Sequence, residues 1–302
     1  MTAPAPIHGG FAKSDLHRIL DQACSMTGLD ARNAILLRGH TNAVFQLSRE
    51  PVVVKIARRG SRLADVQRTV RFVQWLMDRG FPTVPLYEAA EQPLDVGGHA
   101  VTFWTYLPQP AQPVSAAQLA GPLRVLHDLP APPFPLKPLD TVAAIRSSLS
   151  AAGWLPPRSL NFLSQQVDRL EKELAEVTFA MPQAILQGDP QHRNALHGEG
   201  GRAVLCDWDT VTCGQPEWDL TTVEIHCRRF GYGAEHYEAF TEVYGFDVTV
   251  WPGYPILRDL RELRMITTNA KKAPLAPATM PELVHRIDGL RQADQSLRWQ
   301  IL

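Results

Sequence analysis

The stretch AILQGDPQHRNALHGEGGRAVLCDWD, residues 184–209, interrupts a long run of helical patterning with two short apolar segments. These segments, 184–187 and 203–206, read as strands. Asp189 follows the first, Asn194 stands five positions later, and Asp207 ends the second. Carboxylates and an amide are hard oxygen donors. They suit magnesium, which takes one or two protein ligands and completes its octahedron with waters and phosphates. With GEGG (198–201) as a turn, the second strand is expected to pair with the first and bring the three donors to one point. Taken singly, Asp189 and Asn194 also fit an ordinary polar turn, where both residue types are common.

Upstream of this stretch, residues 14–28 pattern as a helix with Leu16, Ile19, Leu20 and Ala23 on one face. Residues 36–60 read as three strands separated by polar turns, the third (VVVKIAR) carrying Lys55. A helix follows over 64–82, with Val66, Val70, Val73 and Met77 at helical spacing and Gly80 and Pro82 as stop signals. Residues 86–108 form a hairpin around a Gly-Gly turn. The sum is a sheet of five strands with one long helix inserted. After residue 110 helical periodicity dominates, at 115–128, 141–152, 158–177, 217–229, 233–245, 254–270 and 281–299. This is an α+β plan: a β-rich N-terminal lobe over 1–107, a helical C-terminal lobe over 108–302, and ligands expected in a cleft.

Composition narrows the classes. Net charge is −1 with both signs mixed along the chain, so nothing steers a polyanion and nucleic acid is not an expected partner. Four scattered cysteines suggest a reduced, cytoplasmic protein. No apolar run approaches the roughly 18 residues of a membrane span. Residues 1–12 read as a disordered leader. His192, Cys206, Cys213, His226 and Cys227 lack the C-x-x-C or H-x-x-x-H spacing of a zinc site. Neither a G-x-S-x-G elbow nor a G-x-G-x-x-G dinucleotide loop is present.

The ordered set G-D-P-Q-H-R-N, C-D-W-D and C-G-Q-P-E-W-D-L resembles the catalytic and metal loops of the aminoglycoside phosphotransferase and choline kinase family. The resemblance spans roughly residues 30–270 and implies a bilobal protein-kinase-like fold. It implies an ATP- and magnesium-dependent transfer to a small-molecule hydroxyl, with GTP as a further possible donor. Asp189 is then the catalytic base, and Asn194 and Asp207 hold magnesium. Asp219 is structural, bracing the loop or the helix start. By the same resemblance Lys55 contacts the nucleotide phosphates, Thr41 and Asn42 help cover them, and the backbone of Trp104, Tyr106 and Leu107 meets the adenine edge. An aromatic core strand fits that last segment equally well.

Three departures qualify the resemblance. The family histidine two residues before the base is Gln187, whose amide keeps donors and acceptors for a bracing role. The helix after Lys55 carries no glutamate, leaving Asp65 or an acid elsewhere as the lysine's partner. The phosphate-covering loop RGHTNAVF has a single glycine, Gly39. For the acceptor, the resemblance implies an aminoglycoside or another antibiotic, with antibiotic resistance as the consequence, and otherwise a sugar or amino alcohol. Acidic residues over 217–247 favour a cation, whereas Arg258, Arg261, Arg264, Lys271 and Lys272 oppose one if they face the site. A nucleotide-binding pseudokinase or sensor is the alternative. Oligomeric state is not legible.

Overall fold

The computed structural model describes residues 11, 13–39, 42–88 and 91–302. It divides into two compact units, Met1–Pro113 with Leu196–Asp209, and Val114–Ala195 with Thr210–Leu302. Of the leader expected over 1–12, only Phe11 lies among the described residues, and its ring packs 5.6 Å from that of His99.

In the first unit, α1 (Lys13–Thr27) buries Leu16, Ile19, Leu20 and Ala23, the apolar stripe of an amphipathic helix. It packs on an antiparallel sheet of β1 (Ile35–Arg38), β2 (Ala43–Gln46), β3 (Val52–Ile56), β4 (Leu94–Val96) and β5 (His99–Thr105). The strand order is β1–β2–β3–β5–β4. In β3, Val52, Val54 and Ile56 join the core with α1, so period-2 alternation puts Lys55 on the other face. Register sets Lys55 opposite Val44 on one side and Thr102 on the other. Between β3 and β4 runs α2 (Leu63–Met77), which buries Phe72, Val73, Trp75 and Leu76 and ends before Gly80 at a φ of +63°.

The second unit opens with α3 (Ala116–His127), closed at its start by a capping box between Ser115 and Gln118. There follow α4 (Thr141–Ser150), capped by Asp140, and α5 (Pro157–Ala175). The chain then runs from β6 (Ala184–Leu186) to β9 (Thr212–Gly214) by way of β7 (Ala195–His197) and β8 (Ala203–Leu205), which belong to the first unit except for Ala195. Helices α6 (Glu217–Arg229), α7 (Ala234–Tyr244), α8 (Tyr254–Lys272) and α9 (Met280–Arg291) complete the second unit. Helix α8 is central, with α4, α5, α6 and α9 packed on it through Leu260, Leu263, Ile266 and Ala270. No helix among the described residues is long and apolar enough to cross a membrane.

Two expectations need correction. The segment 184–187 does not pair with 203–206: β6 pairs with β9, and β8 pairs with β7 across the GEGG tip. The nearest triplet to that tip closes the tighter hairpin. The free edge of β8 bonds instead to residues 82–84, where Leu205 N–H donates to Pro82 and its carbonyl accepts from Val84. The last helix stops at Arg291 rather than near 299, and the irregular segment beyond it returns Trp299 to the core.

Candidate active site

In the second unit the loop after β6 begins with a sharp turn at Gly188, φ +84°. A Cβ there would lie 2.4 Å from the Thr210 carbonyl oxygen, so no other residue fits. Asp219, fully buried in the first turn of α6, accepts the backbone N–H groups of Gln187 (2.8 Å) and Gly188 (3.0 Å). His127 Nε2 stands 3.2 Å from the same carboxylate, and its other ring nitrogen meets the Tyr244 hydroxyl at 2.7 Å. The Thr210 hydroxyl donates to the Gln187 carbonyl at 2.9 Å. Main chain and buried carboxylate together clamp the start of the loop.

The clamp presents Asp189. Its N–H donates to Gln187 Oε1 at 2.7 Å, and its carbonyl accepts from Asn194 Nδ2 at 2.9 Å. One carboxylate oxygen accepts from Gln191 Nε2 at 2.8 Å and the other from Arg261 on α8. The Arg261 guanidinium lies over the Trp218 ring, 5.4 Å from its centroid, a cation–π contact in a buried setting. The Asp189 side chain remains 28% exposed, so a ligand can still reach it. Asn194 spends its amide donor on Asp189, and its Oδ1 accepts from no described residue. His192, inside the same loop, is buried rather than solvent-facing. It stacks 4.0 Å from Tyr232 with Nε2 2.7 Å from His236 Nε2, and burial, then His236, push its pKa down to about 4.

In the first unit, Lys55 Nζ donates to Asp207 at 2.9 Å and Asp209 at 2.8 Å. Burial opposes its charge, but Asp207 and then Asp209 outweigh burial and hold its pKa above the usual lysine range. Of the two alternatives for the lysine's partner the one elsewhere holds, and the Asp65 carboxylate pairs with Arg68 one turn along α2. Between the two acids Trp208 is buried against Phe72 and Phe81, and its indole N–H donates to Thr83 at 2.8 Å. That anchor fixes Asp207 and Asp209 on either side of it. Asp207 adopts a left-handed φ of +57°, a conformation that costs a non-glycine residue about 1 kcal/mol. Asn42 Nδ2 donates to Asp209 at 3.0 Å, and its Oδ1 accepts from the Arg58 N–H at 3.2 Å.

Thr41 lies outside the described residues. Trp104 is a buried strand residue whose indole N–H donates to Thr102. Tyr106 spends its N–H on Pro51 at 2.7 Å, whereas that of Leu107 donates to no described residue. Among the described residues no group of three or more His, Cys, Asp or Glu is placed to hold a metal ion. Each unit by itself offers a hard oxygen donor of the kind magnesium takes: the Asp207 carboxylate, 43% exposed, in the first and the unengaged Asn194 amide oxygen in the second. Sequence reading left Asp209 without a role and treated Arg261 only as one charge in a mixed helix.

The profile of the phosphotransferase enzyme family (APH) matches residues 34–260. The chain belongs to this family. No curated protein sequence matches it significantly. Among solved structures it resembles the choline kinase LicA from Streptococcus pneumoniae, at 16% identity and a TM-score of 0.69, covering 92% of this chain and 99% of that one. It also resembles amicoumacin kinase hAmiN in complex with AMP-PNP, Ca2+ and Ami, at 13% identity and a TM-score of 0.68, covering 96% and 98%. A third is the spectinomycin phosphotransferase APH(9)-Ia in complex with ADP and spectinomycin, at 16% identity and a TM-score of 0.60, covering 92% and 90%. These likenesses establish the kinase-like α+β fold of this phosphotransferase family member.

Proposed function

We propose that this protein is an ATP- and magnesium-dependent kinase of a small-molecule hydroxyl, with Asp189 as the proton acceptor. The observation that carries it is the fourfold fixing of Asp189 by Gln187, Asn194, Gln191 and Arg261, with the carboxylate still open to a ligand. A general base works by being held within hydrogen-bond reach of the proton it takes. In the transfer, the acceptor oxygen bonds to the γ-phosphorus and the bond to the β-phosphate oxygen breaks. ADP leaves with that oxygen, and the hydroxyl proton passes to Asp189. Lys55, held by Asp207 and Asp209, supplies a fixed cation for the nucleotide phosphates. Asp207 and Asn194 would hold magnesium, which would supply positive charge against the charge developing on the phosphates. Asn42 and Thr41 cover the phosphates, and the segment Trp104, Tyr106 and Leu107 receives the base, ATP or GTP, with the N–H of Leu107 the donor at hand.

The solved relatives include a choline kinase and kinases complexed with antibiotics, so an antibiotic, a sugar or an amino alcohol are the acceptor classes to assay first. The test is Asp189→Asn, which should keep Mg-ATP binding and lose kcat by about 10²–10⁴, alongside Asp207→Ala, which should lose metal-dependent turnover. Full activity in Asp189→Asn sinks the proposal. Mg-ATP binding without turnover across the panel would support a nucleotide sensor instead.

A further inference from the structure

Seven arginines lie on α6, α8 and α9, and six of them, Arg228, Arg229, Arg258, Arg261, Arg286 and Arg291, each meet an Asp or Glu. Arg264 is the exception. Its guanidinium has no hydrogen bond or ion pair with any described residue, although the residue is half-buried. A cation taken partly out of water without a counter-charge is unfavourable, and pairing with an anion relieves it. Burial first, then Arg261, hold the Arg264 pKa below the usual arginine range, with Asp189 pulling the other way. Its place is the second observation. Arg264 follows Arg261 by three residues, and such residues are neighbours on one helix face. Arg261 is the group that holds the Asp189 carboxylate, and its buried Nε has no acceptor of its own. Arg264 thus stands one turn along α8 from the guanidinium that holds Asp189, and both arginines have donors that no described residue takes up.

We infer that the acceptor is an anion: a hydroxy acid, or a hydroxylated molecule bearing a carboxylate, that pairs with Arg264 while its hydroxyl meets Asp189. The inference rests on the kinase reading above and deepens it. Two guanidinium groups beside the base disfavour a polycationic acceptor, since like charges raise the cost of binding. A guanidinium also matches the planar, two-oxygen geometry of a carboxylate. The alternative source of an anionic oxygen is the nucleotide phosphate, and the assay separates the two.

Matched acceptors provide the test: D-glycerate against glycerol and gluconate against glucose, with choline and kanamycin as cations. Each is assayed with Mg-ATP on the wild type, Arg264→Gln and Arg264→Lys. The acids should exceed their neutral partners by about ten-fold or more in kcat/KM, the worth of one charge-assisted hydrogen bond. Arg264→Gln should erase that preference through the KM of the acid, with the KM of ATP unchanged, and Arg264→Lys should restore part of it. Calorimetric binding of D-glycerate and gluconate in the presence of Mg-AMP-PNP reads the same contact without turnover. Preference for neutral or cationic acceptors overturns the inference, as does an Arg264→Gln effect confined to the KM of ATP. Failure of the wild type to bind either acid also overturns it. Acid binding that depends on Arg264 without phosphorylation keeps this inference and removes the kinase reading. Phosphorylation of choline or kanamycin alone does the reverse.

Discussion

The side-chain oxygen of Gln187 accepts the backbone N–H of Asp189 at 2.7 Å, from a position with no solvent exposure. The departure from the family histidine is therefore not an empty place in the loop. Glutamine folds its amide back over two residues and supplies the acceptor that fixes Asp189. Its own N–H and carbonyl are meanwhile taken by Asp219 and Thr210. Side chain and main chain of one residue thus link α6, the strand end and the loop that carries Asp189.

Removing that acceptor should be felt twice. Gln187→Leu conserves volume but leaves the Asp189 N–H without a partner, a loss of about 1–3 kcal/mol. Urea unfolding should show the deficit, and kcat should fall with the freedom given to Asp189. Gln187→His offers a ring nitrogen as acceptor and should stay closer to the wild type in both measurements. A leucine variant with unaltered stability and turnover would refute the bracing role.

The partner of Lys55 yields a separate prediction. Asp209 holds both Lys55 and Asn42, so Asp209→Asn loosens the two side chains together. The KM of ATP should rise by about five- to ten-fold, roughly 1 kcal/mol or slightly more, while the KM of the acceptor is unchanged. Asp65→Ala, at the other acid considered as a partner of Lys55, should leave both constants alone. Because the folded pKa of Lys55 is raised, its pairing is present in full below the unfolded lysine value of about 10.4 and fades only above it. Assays between pH 6 and 9 should therefore show no titration from this pair. An Asp65→Ala effect on ATP as large as that of Asp209→Asn would reverse the assignment.

Legibility in the sequence followed element length. Helices α1 and α2 and the five-stranded sheet carry enough alternating or 3.6-period apolar residues to declare themselves. The triplets Ala195–His197 and Thr212–Gly214 do not, because three residues hold barely one period of a strand. Missing them made β6 and β8 look like partners. The oxygen donors were legible as an ordered motif, but their supports were not. Lys55 meets Asp207 and Asp209 across 152 and 154 residues, and Arg261 meets Asp189 across 72. In the one-dimensional pattern Arg258, Arg261 and Arg264 are three equivalent charges on a mixed helix. Only packing distinguishes the one that holds Asp189 from the one that meets no counter-charge among the described residues.

The turn before Asp189 tolerates no side chain. Gly188→Ala combines a left-handed φ, worth about 1–2 kcal/mol against alanine, with a Cβ inside the contact distance of the Thr210 carbonyl. Overpacking of this kind adds about 1–3 kcal/mol. The variant should lose stability by the sum in urea unfolding and lose turnover even where it remains folded, since the turn aims Asp189. Gly200→Ala is the control: it shares a positive φ, +68°, but a Cβ there meets nothing within 4 Å. It should cost only the backbone share. Equal losses in the two variants would show that the Thr210 carbonyl yields.

Acid sensitivity should trace in part to one buried histidine. His226 stacks on Phe230 with ring centroids 4.7 Å apart, and its Nε2 has no hydrogen-bond partner among the described residues. Burial pushes its pKa down from 6.5 to about 3, opposed by Asp189 and assisted by Arg261. The unfolded chain therefore binds a proton below pH 6.5 that the folded chain refuses, and stability falls as pH drops from there towards 3. Between pH 7 and pH 5 the loss from this residue is about 2 kcal/mol. His226→Leu keeps an apolar side chain in the same place and cannot titrate. Urea unfolding at the two pH values should show a wild-type loss larger than the variant's by about that amount. The same pH slope in both proteins would mean that His226 takes its proton in the folded state, and that the space around it admits water.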